Sequence, residues 1–121
     1  MDYEISISED KSHVYVRVYK PITRALAFEF NRKMVVQAQE YGIDKFLFDV
    51  RDATNVESTL NNYLIAYEDA EKVGFTRSEK FAVVHSLKDK SHDFIMTVAR
   101  NAGYNLRLFT HHQDALEWLH S

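Results

Sequence analysis

Five consecutive residues in the middle of the chain, Phe46-Leu47-Phe48-Asp49-Val50, decide the fold. All of them except Asp49 are apolar, so a strand formed by this run has no polar face to expose to solvent. Continuous apolar runs of this kind are typical of strands covered on both faces, whereas strands with one solvent face alternate apolar and polar residues. The run therefore predicts the central strand of an α/β protein, covered by helices.

The residues before this strand predict a β-hairpin followed by a long helix. Residues 3–8 and 13–19 alternate apolar and polar side chains, the period of half-buried strands, and a short polar turn joins them. Pro21 offers no backbone N–H to a sheet and ends the hairpin. A helix over residues 23–41 follows, and Gly42 ends it. Its expected buried stripe is Leu26, Phe30, Met34, Ala38 and Tyr41.

The residues after the central strand alternate between helices and strands. We predict a helix over residues 58–73, a strand at Lys80–Val84, a helix over 91–102, a strand over 106–109 and a short last helix. The expected buried stripe of the first of these helices is Leu60, Leu64, Tyr67, Ala70 and Val73. The order ββαβαβαβα predicts one domain over residues 1–121, with a mixed, mostly parallel five-stranded sheet.

The composition excludes several classes of function. The chain has no cysteine, which removes disulfides, thiol nucleophiles and cysteine-ligated metal clusters. Its net charge of -3 argues against a nucleic-acid partner, which requires a basic surface. No apolar run approaches the roughly 20 residues of a membrane helix, and the first residues are acidic, so we expect a cytoplasmic protein with no membrane span. The three glycines stand at predicted helix ends and leave none for a phosphate loop, so we expect no cofactor and no catalysis.

Two short sequence motifs connect this order of elements to a known family. They are Asp49-Val50-Arg51-Asp52, after the central strand, and Asp114-Ala115-Leu116-Glu117-Trp118-Leu119, in the last helix. Together with the opening hairpin and the long first helix, they make nearly the whole chain resemble the small SpoIIAA-like proteins of the STAS (sulfate transporter and anti-sigma-factor antagonist) superfamily. The resemblance implies a βα superhelical fold with helices packed mainly on one face of the sheet. It also implies a regulatory or protein-interaction module that binds itself, as a homodimer or higher oligomer, or another protein.

The resemblance also points to a possible phosphorylation site. The anti-sigma-factor antagonists of this superfamily carry a phosphorylatable serine at the start of the helix after the central strand, within an Asp-Ser-Ser-Gly motif. Here Asp49 matches the aspartate that ends the strand. The Asp-Ser-Ser-Gly motif is replaced by Val56-Glu57-Ser58-Thr59-Leu60, which lacks the Asp and the Gly of the motif. Ser58 or Thr59 is the corresponding hydroxyl. The structural alternative is that these residues simply cap the helix.

Polar residues that follow the strands form a predicted binding rim, because ligands of open α/β sheets bind beyond the carboxyl ends of strands. The rim consists of Asp49, Arg51, Asp52, Ser58, Thr59, His85 and Lys88. A minor alternative is a metal-assisted enzyme that uses Asp49 and Asp52 with nearby histidines, although no familiar metal-ligand spacing is present. The structural alternative is that Asp49 caps loop N–H groups and pairs with Arg51.

Aromatic residues on the strands suggest a surface that needs a cover. Tyr15 and Tyr19 share one face of the second strand, and we expect Phe46 and Phe48 to continue that face. Large exposed apolar patches are uncommon on monomers, so a returning helix, an apolar ligand or a second subunit would cover it, and the last makes these four residues a possible interface. The alternative is an ordinary core with helices on both sides of the sheet. A further hypothesis is a Sec14-like pocket between sheet and helices that binds a small apolar or lipid-like ligand.

Overall fold

The computed structural model describes residues 1–121 as one five-stranded sheet with four helices. The strands are β1 (Tyr3–Ile7), β2 (Val14–Val18), β3 (Lys45–Asp49), β4 (Lys80–Val84) and β5 (Asn105–Phe109). They lie side by side in chain order; β1 is antiparallel to β2, and all other neighbours are parallel. This confirms the mixed, mostly parallel sheet predicted from the sequence. None of the helices has the length and apolar character needed to cross a membrane.

The four helices connect the strands and follow the last one. They are α1 (Arg24–Tyr41), α2 (residues 59–73), α3 (Asp93–Asn101) and α4 (His112–Leu119). Helix α2 is continuous but not uniform: an α-helical part, Thr59–Leu64, leads into a π-helical turn, Ile65–Asp69, and then into the α-helical end, Ala70–Val73. In the wide turn, the N–H of Ala70 donates to the carbonyl of Ile65.

Helix α1 begins and ends as its sequence predicts. Thr23 caps it by accepting a hydrogen bond from the N–H of Leu26, and Gly42 closes it in the left-handed conformation at φ 67°. Most of the predicted stripe, including Phe30 and Met34, is buried. Tyr41, in the last turn, is an exception: it is 46% exposed, and the ammonium of Lys11 lies over its ring, 5.2 Å from the ring centroid.

The predicted buried stripe of α2 is wrong for Leu60 and Tyr67, whereas Val73 is buried as predicted. Leu60 is 65% exposed and Tyr67 also faces outward. Besides Val73, the buried residues of α2 are Asn62, Ala66 and Asp69. Two of these are polar, so a pattern based on hydrophobicity places them outside. They lie inside because Asn62 accepts a hydrogen bond from Asn55 and Asp69 pairs with Arg24.

The sheet has one thickly covered face and one thinly covered face. Phe46 and Phe81 on the first face belong to the main core beneath α1, together with Val14, Val16 and Val18. Helices α2 and α3 complete this side, where Ala66 packs with Val98 and Ala99. Helix α4 alone covers the second face. Its small core is formed by Leu47, Ala82, Val84, Ala115 and Leu119. Helices therefore pack mainly on one face, as predicted.

The expectation that Phe46 and Phe48 continue the surface of Tyr15 and Tyr19 is wrong. The parallel register of β2 and β3 sets Phe46 beside Val14 and Phe48 beside Val16, whereas Tyr15 lies beside Leu47. Because side chains alternate across a pleated sheet, the two phenylalanines face the main core and the two tyrosines face the opposite side. Phe46 has no exposed surface and cannot contact a second subunit in this fold.

Candidate functional site

The predicted rim separates into unconnected groups, of which the first surrounds Asp49 at the end of β3. Asp49 is buried, and the guanidinium of Arg51 donates two hydrogen bonds to its carboxylate, 2.9 Å from Nε and 2.6 Å from Nη2. The hydroxyl of Tyr15 donates another at 2.7 Å. Burial alone raises the pKa of Asp49, but the hydrogen bonds from Arg51 and Tyr15 outweigh it and hold this pKa below its ordinary value. Burial and the hydrogen bond to Asp49 raise the pKa of Tyr15 to about 12.

Asp52, the second carboxylate of the rim, has a different partner. It accepts a hydrogen bond of 2.7 Å from Nη2 of Arg17, and both side chains are partly exposed. The two carboxylates are thus engaged by separate arginines. No three His, Asp or Glu side chains in the structure come together in an arrangement that could hold a metal ion. The geometry does not provide the shared carboxylates that the metal hypothesis requires.

His85 and Lys88 lie after β4 and make no hydrogen bond to the Asp49 group. His85 is buried, with its Nδ1 2.8 Å from the carbonyl oxygen of Ser86. Lys88 is exposed in the same loop. The rim residues therefore do not converge on a single polar site.

Ser58 and Thr59 begin α2, and Ser58 acts as the cap of that helix. Its Oγ accepts a hydrogen bond from the N–H of Asn61 at 3.1 Å. The neighbouring Glu57 supplies the negative charge that a helix N-terminus favours, accepting hydrogen bonds from the N–H groups of Arg24 and Ser58. The bond from Arg24 is the main reason why the pKa of Glu57 is lowered. Capping accounts for the presence of Ser58, and phosphorylation of Ser58 or Thr59 stays a prediction.

The strongest candidate site is an apolar cavity between the thickly covered face of the sheet and helices α1, α2 and α3. Its volume is about 140 Å³, and 17 of its 20 lining residues are hydrophobic. The sheet contributes Phe48, Phe81 and Leu106, and the π-helical turn of α2 contributes Ile65 and Ala66. No Asp, Glu, Lys or Arg side chain lines the cavity, so its interior carries no formal charge.

Three polar side chains other than that of Tyr104 line the cavity, and two of them have hydrogen-bond partners. Asn55 donates to Asn62 and accepts from the N–H of Glu57. His92 is buried with its Nε2 2.9 Å from the carbonyl oxygen of Ala53, and burial lowers its pKa, so the ring is neutral at pH 7. The third is Asn31, whose Oδ1 is buried without a hydrogen-bond partner.

The hydroxyl of Tyr104 is the second buried polar atom without a partner among the cavity residues. Tyr104 precedes β5, and its ring is fixed from two sides. The guanidinium of Arg77 lies over the ring, 4.4 Å from its centroid, and Phe81 meets it edge to face at 6.0 Å. Burial raises the pKa of Tyr104, so the hydroxyl keeps its proton at neutral pH.

The outer side of α2 carries exposed aromatic and aliphatic side chains. The rings of Tyr63 and Tyr67 stack at a centroid distance of 4.4 Å, and Leu60 extends the same outer strip. Residues 58–67 contain no charged side chain. We refer to Leu60, Tyr63 and Tyr67 as the α2 outer strip.

Sequence reasoning identified the region of the cavity but not its polar residues. Of the predicted site residues, only Phe48 lines it. Asn31 lies in the middle of a helix, and Tyr104 is one of seven tyrosines, so neither position is conspicuous in the sequence. The one available signal is that Asn31 directly follows Phe30 of the predicted buried stripe of α1, where a polar side chain borders the core.

Comparisons with known proteins address the fold. No family model matches the chain, and no curated protein matches it. Among solved structures, it is similar to an uncharacterized protein of the DUF3478 family from Shewanella loihica PV-4, which has a SpoIIAA-like fold. The similarity covers 97% of this chain and 91% of that one, with 17% sequence identity and a TM-score of 0.55. At this identity the similarity concerns the fold alone, and it confirms the prediction made from the sequence: this chain has a SpoIIAA-like fold.

Proposed function

We propose that this chain is a non-catalytic binding module that takes up a small apolar molecule between its sheet and its helices. The observation that carries the proposal is the cavity of about 140 Å³ with 17 hydrophobic residues among the 20 that line it. Ligand sites are typically concave and mostly apolar, with a few polar groups that set orientation. The cavity has this character, while the polar residues predicted as a rim do not converge.

The size of the cavity limits the ligand. An apolar cavity of about 150 Å³ in another protein accommodates benzene. A cavity of about 140 Å³ therefore suits a ring of about six to eight non-hydrogen atoms. This narrows the apolar or lipid-like ligand expected from the sequence to a small molecule.

The proposal includes no catalysis because no pair of reactive groups faces the cavity. His92 is the one imidazole of the lining, and its Nε2 lies within hydrogen-bonding distance of the carbonyl oxygen of Ala53. The carboxylate of Asp49 lies on the opposite face of the sheet, where Arg51 and Tyr15 hold it. A general acid or base acts within hydrogen-bond reach of its substrate, and no carboxylate lines the cavity.

A titration with toluene tests the proposal. Binding is followed by the NMR chemical shifts of the cavity residues. Ala27 lines the cavity from α1, and Ala25 lies exposed on the same helix. We expect saturable shifts in the parent and in Ala25→Leu, and their loss in Ala27→Leu, because the added carbons occupy the cavity. Ala99→Val fills it from α3 and weakens binding if Ala27→Leu does not fold. A parent protein that shows no saturable binding of toluene or similar rings overturns the proposal.

A second candidate function, self-association through the α2 outer strip, is favoured by the exposure of that strip. A two-fold contact places the same surface against itself, so a charge near the two-fold axis lies close to its own copy. The uncharged stretch 58–67 avoids this repulsion in a chain whose net charge is -3. Three side chains are fewer than a stable interface of about 800 Å² per partner needs, so we expect a weak dimer.

Sedimentation velocity over a range of concentrations tests this second candidate. Leu60→Glu introduces facing charges and is expected to shift the protein towards monomer. Val36→Glu makes the same kind of change at an exposed position of α1, outside the strip, and leaves association unchanged. A parent protein that remains monomeric at millimolar concentration contradicts the candidate.

A further inference from the structure

Two buried polar atoms of residues that line the cavity have no partner within the chain. They are the hydroxyl of Tyr104 and Oδ1 of Asn31. Tyr104 as a whole is only 5% exposed. Buried polar groups are almost always hydrogen-bonded, because leaving one unpaired forfeits its interaction with water. Because both residues line the cavity, a molecule bound there is the candidate for the missing partner.

The surroundings of Tyr104 keep its hydroxyl in place. Its backbone N–H donates to the carbonyl of Ala99 at 3.1 Å, while Arg77 and Phe81 pack against the ring. A ring fixed in this way is a preorganised donor, and preorganisation reduces the entropy lost on binding. The hydroxyl can donate one hydrogen bond and accept another, whereas Oδ1 of Asn31 accepts only.

The absence of formal charge in the lining restricts the ligand to an uncharged molecule. A charged ligand would lose its hydration on entering an apolar cavity without meeting an opposite charge, which is costly. His92 and Tyr104, the titratable residues of the lining, are both neutral at pH 7 because burial disfavours their charged forms.

We infer that the ligand is a small uncharged ring compound with a hydroxyl group, of the phenol or cyclic alcohol class. The hydroxyl of Tyr104 donates to its oxygen, or its own hydroxyl donates to Oδ1 of Asn31. This inference rests on the proposed function and adds the polar group that selects among apolar molecules. A buried water bound to Tyr104 is the competing explanation, since ordered water also satisfies buried polar groups.

Paired affinities for p-cresol and toluene, measured by NMR titration, test the inference. The two probes have the same ring and methyl group and differ in one hydroxyl. The quantity compared is the ratio of the two affinities in the parent, in Tyr104→Phe and in Tyr41→Phe. Tyr41→Phe removes a hydroxyl from an exposed tyrosine outside the cavity and outside the α2 outer strip, and it serves as the matched control.

We expect Tyr104→Phe to lower the preference for p-cresol over toluene by about fivefold, which corresponds to the net free energy of one ordinary hydrogen bond. Tyr41→Phe leaves the ratio unchanged, and toluene binds the parent and both variants. Asn31→Ala is a second variant, with a reduced preference expected if the ligand hydroxyl donates to Oδ1. Equal ratios in the parent, Tyr104→Phe and Asn31→Ala overturn the inference and indicate a water at Tyr104. If neither probe binds the parent, the proposed function itself fails.

Discussion

The guanidinium of Arg24, at the start of α1, donates two hydrogen bonds of 2.7 and 2.9 Å to the carboxylate of Asp69 in the π-helical turn of α2. Asp69 is buried, whereas the side chain of Arg24 is partly exposed. Losing the arginine leaves a buried charge unpaired, while losing the aspartate leaves an arginine that water reaches. We expect Asp69→Ala to lower the free energy of unfolding by about 1.5–3 kcal/mol and Arg24→Met to lower it more.

Urea denaturation measures both losses. Glu71 and Arg77 form an ion pair of 2.8 Å with both side chains exposed, so Glu71→Gln serves as a control with an expected loss below about 1 kcal/mol. A larger loss for Asp69→Ala than for Arg24→Met would show that the pair does not have the asymmetric burial described above.

The buried carboxylate of Asp49 predicts a pH dependence of stability. Its pKa in the folded protein is below the ordinary value, so the ionised form adds stability above about pH 3.9, the pKa in the unfolded chain. The contribution decreases as the pH falls through that value towards the folded-state pKa. We expect Asp49→Asn to cost about 1.5–3 kcal/mol at pH 7, and the difference from the parent to shrink between about pH 5 and 3.

Urea denaturation at several pH values checks this prediction. Tyr15→Phe removes one hydrogen bond to Asp49 but keeps Arg51, so it should retain most of the acid sensitivity of the parent. A loss in Asp49→Asn that is as large at pH 3 as at pH 7 contradicts the explanation.

Gly103 precedes Tyr104 and has φ 99°, a conformation that side-chain-bearing residues rarely adopt. A Cβ at Gly103 would stand 3.3 Å from Cγ of Arg77, the residue that stacks on Tyr104. Gly42 also has a positive φ, of 67°, but nothing lies within 4 Å of its added Cβ. We expect Gly42→Ala to cost about 1–2 kcal/mol and Gly103→Ala to cost more, as measured by urea denaturation. Equal losses would show that Arg77 adapts without cost.

The capping role of Ser58 predicts a difference between two adjacent hydroxyls. Ser58→Ala should lower the free energy of unfolding by about 1 kcal/mol, because it removes the acceptor for the N–H of Asn61. Thr59→Ala should stay within about 0.5 kcal/mol of the parent, and Ser58→Asn should preserve the cap. Denaturation curves of the three variants decide this; an equal effect at Thr59 would show that Ser58 is not the cap.

The order of the elements and the ends of the helices could be predicted from local sequence. Gly42, Gly74 and Gly103 each follow a helix with a positive φ, and the strand Lys80–Val84 has its predicted bounds. These features depend on residues close together in the chain, where turn chemistry and periodicity act directly. The resemblance to SpoIIAA-like proteins added the arrangement of helices.

The features that sequence reasoning missed depend on contacts between distant residues. Asp69 is buried because Arg24, 45 positions away, pairs with it, and no local pattern encodes that partner. Phe46 faces away from Tyr15 because of the register between two strands separated by a helix. The cavity likewise exists only once three helices have packed on the sheet. Hydrophobic pattern alone therefore placed the aromatic residues and the face of α2 incorrectly.

The strands lie across the sheet in the same order as they occur in the chain, from β1 to β5. Each strand after the hairpin therefore joins the edge left by the strand that was made just before it, and no later segment has to insert between two strands already paired. Contacts between segments that are near in the chain cost less loop-closure entropy than contacts between distant ones. This sheet can therefore grow strand by strand from the hairpin, and the cavity closes only when α3 and β5 are added.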